Sequence, residues 1–259
     1  MAAVVRFAQP VPDLVLKRAL NATEETAFAA GLKSRHSTRG LEFSVSAGGI
    51  QAASREDGVR GLMFNATFDD DPSNTLRGTR LAEQIQLDIG QLIYRTWRYV
   101  SWTWQLQRMQ SLMRPALDVL SGIVSISQTR LEYLDRFMFE GDLAAADVKS
   151  LLKFDSEHIA KHVFDATDLW HSYTGAFVPG AVKRLEVVNL DALDLPGIED
   201  SESTRWVHMT TAYEDRYNPL AEIPVDQVFK SFDGMHFDLK QLLGSLITDA
   251  MAKRIYLKD

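Results

Sequence analysis

Ser125-Ile126-Ser127-Gln128-Thr129-Arg130-Leu131-Glu132-Tyr133-Leu134-Asp135-Arg136-Phe137-Met138-Phe139 lies near the middle of the chain, and how it is read decides the fold. In an extended chain alternate side chains face opposite ways. Leu131, Tyr133, Phe137 and Phe139 then share one face, and Arg130, Glu132 and Arg136 share the other. The first set is predicted to face a core. The second is predicted to form a cross-strand charge ladder in solvent, where each pair stabilises little. Residues 123–140 are therefore predicted to be one long central strand.

Upstream, Leu106, Met109, Leu112, Met113, Leu117 and Leu120 recur at helical spacing. This predicts a helix over 102–121, capped by Ser101, stopped by Gly122, and kinked or broken at Pro115. Its Trp102/Trp104 and Met109/Met113 stripe reads as core. Residues 81–98 admit a helix or two strands. Gly90 and the Thr-Trp-Arg-Tyr-Val run favour strands. Residues 41–46 alternate, and Asp57-Gly58 predicts a turn joining strands 50–54 and 59–68. Residues 33–40 read as a polar, basic loop, and 21–32 as a short helix with Thr23 as cap and Gly31 as stop. Val4, Val5 and Phe7, and then Leu14, Val15 and Leu16, read as short strands beside Pro10 and Pro12. Asp69-Asp70-Asp71 lacks the spacing and the closing Glu of an EF-hand, so it reads as a solvated loop.

Downstream, 142–164 are predicted helical, in two pieces capped by Asp142 or Asp147 and by Ser156. Residues 169–178, 182–193 and 204–217 read as strands, 194–203 as an acidic loop and 218–232 as an irregular connector. The chain closes with a predicted helix over 234–256 bearing an apolar stripe. Strands followed by a helix, twice over, imply an α+β fold: antiparallel sheet with helices on one face. The organisation is a single domain over 1–259, or two intimately packed halves, 1–140 and 141–259.

The 259 residues, 46% hydrophobic, suffice for a large core. A net charge of −7 argues against nucleic acid as a partner, although Arg6, Lys17, Arg18, Lys33, Arg35 and Arg39 make the first 40 residues mildly basic. With no Cys, disulfides, thiol catalysis and Cys-ligated metals are excluded. No apolar run is long enough to span a membrane, and the N-terminus has no secretory pattern. The expectation is a cytoplasmic bacterial or phage protein.

Thr129-Arg130-Leu131-Glu132-Tyr133-Leu134-Asp135-Arg136-Phe137 resembles a Leu-Arg-Tyr-Ile-Asn-Arg-Ile strand, with Asp135 where the motif has Asn. Leu246-Ile247-Thr248-Asp249-Ala250-Met251 resembles Ser-Ile-Thr-Asp-x-Leu, and Tyr99-Val100-Ser101-Trp102 resembles Tyr-x-x-Trp. In this order the three elements are similar to those of a sporadically distributed family of uncharacterised bacterial proteins of similar length, over residues 55–257. The resemblance implies no activity. Patchy occurrence of this kind goes with mobile or defence-linked genes.

No nucleophile elbow, P-loop or dinucleotide fingerprint is present. The main expectation is a non-catalytic interaction or accessory protein of a defence or toxin–immunity locus. Its partner would be another protein or a second copy, and no cofactor is expected. One alternative is a ligand pocket between sheet and C-terminal helix, with Arg130, Tyr133, Arg136, Asp249, Trp170, Tyr173 and Trp206 lining a groove. Two arginines on one face suit a carboxylate or phosphate. Another is a metal-dependent enzyme. His158 and His162 would share a helix face, with Glu157 beside them and His171, Asp165 or Asp168 as a third ligand. That spacing departs from the zincin helix, in which Glu follows the first His.

Overall fold

The structure is a computed structural model that describes residues 1–46, 49–67, 81–139, 146–195 and 204–257; for 38–46, 49–59 and 195 it describes the backbone alone. In chain order the elements are β1 (Ala2–Phe7), α1 (Asp13–Ala29), β2 (Ser34–Ser46), β3 (Gly49–Thr67), β4 (Leu81–Asp88), β5 (Gln91–Thr96), α2 (Trp102–Leu120), β6 (Ile126–Met138), β7 (His171–Val178), β8 (Lys183–Leu195), β9 (Thr204–Arg216), α3 (Val225–Leu246) and α4 (Asp249–Arg254). The fold is α+β, with one nine-stranded antiparallel sheet in the order β2-β3-β4-β5-β1-β6-β9-β8-β7. Among the described residues no helix is long and apolar enough to cross a membrane. Two compact units divide the chain, Met1–Thr129 with Tyr217–Lys230 and Arg130–Arg216 with Ser231–Asp259.

In the first unit β1 alternates as a half-buried strand should, with Ala3, Val5 and Phe7 inside. α1 presents Leu16, Ala19, Leu20, Thr23 and Ala27, and α2 presents Met109, Leu112, Met113, Ala116 and Leu117. Ser101 caps α2 by accepting from the Trp104 amide at 3.4 Å, as its position predicts. One polar network is sealed in this core. Arg108 donates to both oxygens of Glu83, at 2.9 and 2.6 Å, and Tyr94 donates to Glu83 at 2.6 Å. Burial, and then the Glu83 charge, raise the Tyr94 pKa far above that of an ordinary phenol.

Two backbone contacts of β6 and its extension set the β6–β9 register, Tyr217 N to Ser127 O in the first unit and Phe139 N to Arg205 O in the second, both 2.9 Å. In the second unit the β9–β8 and β8–β7 registers carry it across the sheet. One face collects Leu131, Tyr133, Met209, Thr211, Tyr213, Val188 and Leu190, and α3 covers it with Phe232, Met235, Leu239 and Leu242. The opposite face carries Arg130, Arg136, His208, Asp191 and His171.

The central strand, its inward parity, β4, β5, β7–β9 and the span of α2 form as the sequence predicts, but α2 continues as one helix through Pro115, and Trp104, read as core, is exposed while Met109 and Met113 are buried. Several expectations do not hold. Leu14, Val15 and Leu16 belong to α1, because the apolar positions 16, 19, 20, 23 and 27 follow helical spacing from Pro12 onward. Thr23 lies inside that helix and donates to the Ala19 carbonyl at 2.8 Å. The stop at Gly31 is right, with φ of 90° just past the helix. Residues 34–40 are strand, not loop, since β2 pairs with β3 from Ser34 onward. β2 and β3 stay paired as far as Ser46 opposite Gly49, and Asp57-Gly58 falls within β3, where the register with β2 shifts. The triple aspartate lies outside the described residues.

Residues 146–164 hold only the single 3-10 turns Val148–Ser150 and Lys161–Phe164, because their apolar residues dock individually rather than along one stripe. Asp147 does cap the first turn, accepting from the Lys149 amide at 2.9 Å. The closing helix starts earlier and breaks. Val225 begins α3 right after Pro224, and at Ile247-Thr248 the chain leaves the helix. Ile247 there bridges to Leu152, and Thr248 restarts a helix by capping the Met251 amide at 3.2 Å.

Candidate functional site

The predicted groove is divided between the two faces of the second unit's sheet. Tyr133 is on the covered face, 2.9 Å from His236 Nδ1 of α3. Trp170 lies towards that side too, lining a cavity of about 470 Å³ with Phe137, Phe164, Val207, Met251 and Arg254. Asp249 opens α4 and lies 3.4 Å from Lys153. Arg130, Arg136, Tyr173 and Trp206 belong to the opposite face. Arg130 is held by Glu132 at 2.6 Å and reaches Glu214 at 3.5 Å, so it forms the predicted charge ladder. Strand parity separates residues that the sequence reading placed in one groove.

The metal constellation does not assemble. His158 and His162 are not on a helix. His158 Nδ1 lies 3.1 Å from Glu186, His171 Nδ1 lies 2.5 Å from Asp191, and His162 Nε2 approaches the His171 carbonyl at 3.3 Å. Glu157 is exposed, 3.8 Å from His158. Asp165 is exposed in the same stretch, and Asp168 sits 3.5 Å from Arg205. Among the described residues no group of His, Asp and Glu is arranged to hold a metal ion.

Two features went unread in the sequence. The first is a polar network on the covered face beside a cleft of about 600 Å³. Glu186 receives the Tyr213 hydroxyl at 2.5 Å and faces His158 through its other oxygen. Arg184 clamps Asp215 at 2.6 and 2.9 Å and reaches Asp238 at 2.5 Å, and Ser231 donates to Asp215 at 2.6 Å. Asp215 is only 2% exposed. Burial, then the bond to Glu186, raise the Tyr213 pKa well above the phenol range. The Arg184 pKa is raised by its bond to Asp215. The carboxylates of Glu186 and Asp215 have both oxygens engaged by neighbouring side chains, so the network braces strand to helix rather than presenting a free acid or base. Parity held the signal: Arg184 and Glu186 share a strand face with Val188 and Leu190, and charges on a core face need partners.

The second feature is the open face of β6, β9, β8 and β7. Leu134, Met138, Tyr173, Phe177 and Leu193 all belong to it and all are exposed, Tyr173 at 62%. Lys183 and Arg216 stack on the Phe177 ring at 4.7 and 5.2 Å. A polar row, Arg136, His208, Asp191 and His171, crosses the strands between these apolar groups. Burial, and next the Arg136 charge, lower the His208 pKa, against Asp191. Among the described residues, the buried His208 Nε2 and Asn189 Oδ1 find no hydrogen-bond partner, and both belong to this face. Alternating apolar residues in β6 and β7 were legible, but both parities of β6 carry large apolar groups, so which one is covered was decided by α3.

No family model and no curated protein matches this chain.

Proposed function

We propose that this chain is a non-catalytic interaction protein that docks a protein partner on the open face of β6, β9, β8 and β7. The carrying observation is that Leu134, Met138, Tyr173, Phe177 and Leu193 share one exposed sheet face. Large apolar side chains gathered on one surface mark contact sites, whereas scattered ones do not. Arg136 and Lys183, on the same face, have no carboxylate at ion-pair distance among the described residues, which favours a partner with an apolar centre and acidic rim. The same reading extends to the place expected for similar proteins, beside defence or toxin–immunity genes. The test is photo-cross-linking from Met138 in the cells that encode the chain, with Leu134→Asp as control. Cross-links to one acidic protein, lost in Leu134→Asp at unchanged melting temperature, are expected. A partner captured equally by the variant overturns the reading.

A second reading is favoured by the cavity at Trp170. Phe137, Phe164, Val207 and Met251 offer an apolar lining, and Arg254 is exposed at the same cavity without an ion pair among the described residues. This suits a small ligand with an apolar body and one carboxylate. Quenching of Trp fluorescence by aryl carboxylates, absent in Trp170→Leu, tests it; no quenching by any of them rejects it.

A further inference from the structure

The last strand in the sheet order is β7, His171-Ser172-Tyr173-Thr174-Gly175-Ala176-Phe177-Val178. Its inner neighbour is β8, and Ala192 N donates to Trp170 O at 2.9 Å in the same antiparallel register. In an antiparallel ladder, residues alternate between turning both backbone groups to one neighbour and both to the other. Residues 170, 172, 174, 176 and 178 therefore turn theirs to β8, and residues 171, 173, 175 and 177 turn theirs outward. The His171 carbonyl meets His162 at 3.3 Å. Among the described residues, nothing pairs with the outward amides and carbonyls of Tyr173, Gly175 and Phe177.

Unpaired edges are usually guarded by Lys, Pro, a bulge or an inward charge. Between His171 and Val178 there is no Lys, no Pro and no carboxylate, and the β7–β8 register runs without a shift. Two of the exposed side chains at this edge are aromatic, Tyr173 and Phe177, placed symmetrically two residues either side of Gly175.

We propose that β7 pairs antiparallel with β7 of a second copy about a two-fold axis through Gly175. This register is the symmetric one in which every outward backbone group of residues 173–177 finds a partner. Gly175 meets itself, and Tyr173 meets Phe177 of the partner subunit. All of these are hydrogen-bonded pairs, with Cα atoms about 5.5 Å apart. Cross-strand aromatic pairs are among the stabilising ones. Gly175 leaves room at the axis for the two aromatic pairs to close over the backbone. Pro179 ends the pairing, because it has no amide to donate. The four strands of the second unit then continue into those of the copy, with the two open faces side by side. The pairing shares Tyr173 and Phe177 with the docking face, but its failure is distinguishable from failure of that reading, since the Leu134–Met138 region is probed by different substitutions.

Light scattering of the full chain across a range of micromolar concentrations tests the proposal. The wild type is expected at twice the 29.1 kDa chain mass. Tyr173→Glu/Phe177→Glu places like charges across the two-fold, and a monomer is expected. Tyr173→Lys/Phe177→Glu places opposite charges there, and the dimer is expected to return. Circular dichroism melts verify that each variant folds. Should the double glutamate change fail to fold, Gly175→Pro removes the central outward amide and leaves the β8 side paired; it too is expected monomeric. A monomeric wild type overturns the proposal. So does a dimer that survives the double glutamate or proline change, or a charge-paired variant that folds but stays monomeric.

Discussion

The two faces of β6, β9, β8 and β7 are made by the same strands and carry large apolar side chains alike, yet they have different fates. One is sealed by α3, with Leu131 and Met209 fully buried and the polar groups between them paired. The other leaves Leu134, Met138, Tyr173 and Phe177 in solvent. Apolar content alone therefore does not identify a core. A core face also has its polar groups satisfied by the element that covers it, as Ser231 and Asp238 of α3 satisfy Asp215 and Arg184. The open face keeps His208 Nε2 and Asn189 Oδ1 without partners among the described residues. That difference separates a face completed by its own chain from the one proposed here to meet a second molecule.

The comparison breaks most sharply at the buried ion pair. Asp215→Ala leaves Arg184 with the half-exposed Asp238 as its remaining carboxylate, and stability is expected to fall by about 3–5 kcal/mol in urea unfolding. A loss under about 1 kcal/mol would mean that the network does not brace the covered face.

Next in size is a paired test on one strand. Leu131→Ala, on the covered face, is expected to cost about 2–5 kcal/mol. Leu134→Ala, three residues on and on the open face, is expected to stay within about 0.5 kcal/mol of wild type. Similar losses in the two variants would show that the open face is packed.

The covered face should also respond to acid. Burial, and next the Lys240 charge, lower the His236 pKa, while Asp233 acts to raise it and the Tyr133 hydroxyl bonds its ring. A histidine depressed in the folded state binds fewer protons than in the unfolded chain, so stability is lost as pH falls from the ordinary value of 6.5 towards the depressed one. Melts of wild type and His236→Gln across that window are expected to converge in acid, the variant having the flatter profile. Parallel profiles would remove His236 as the cause.

The smallest effect on stability is expected at the proposed docking surface. Leu134→Asp with Met138→Asp should leave unfolding within about 0.5 kcal/mol of wild type while abolishing partner capture. Retained capture would place the contact elsewhere.

Much of this architecture was open to reading along the chain, because it depends on spacing. Period two in residues 125–139 gave the strand and its inward parity. Period 3.6 gave α2, and Ser101 and Gly122 marked its ends. Where a segment carried both kinds of apolar run the reading failed: Leu14-Val15-Leu16 passed for a strand because its helical continuation was cut at 21, with 23 and 27 given to a separate element. The predicted groove failed for a different reason. Arg136 and Tyr133 are close in sequence, but odd and even positions on a strand point to opposite sides. His158 and His162 failed because their spacing matters only on a helix, and no helix forms there.

Composition and periodicity were enough to establish an α+β chain, free of cysteine, around a central strand flanked by amphipathic helices, since these follow from which residues leave water and at what interval. Which face of the strands α3 would cover, that Arg184, Glu186, Tyr213 and Asp215 would meet, and that β7 would end the sheet, were decided by tertiary pairing. Those outcomes depend on contacts between residues far apart in the chain, and no local pattern encodes the partner.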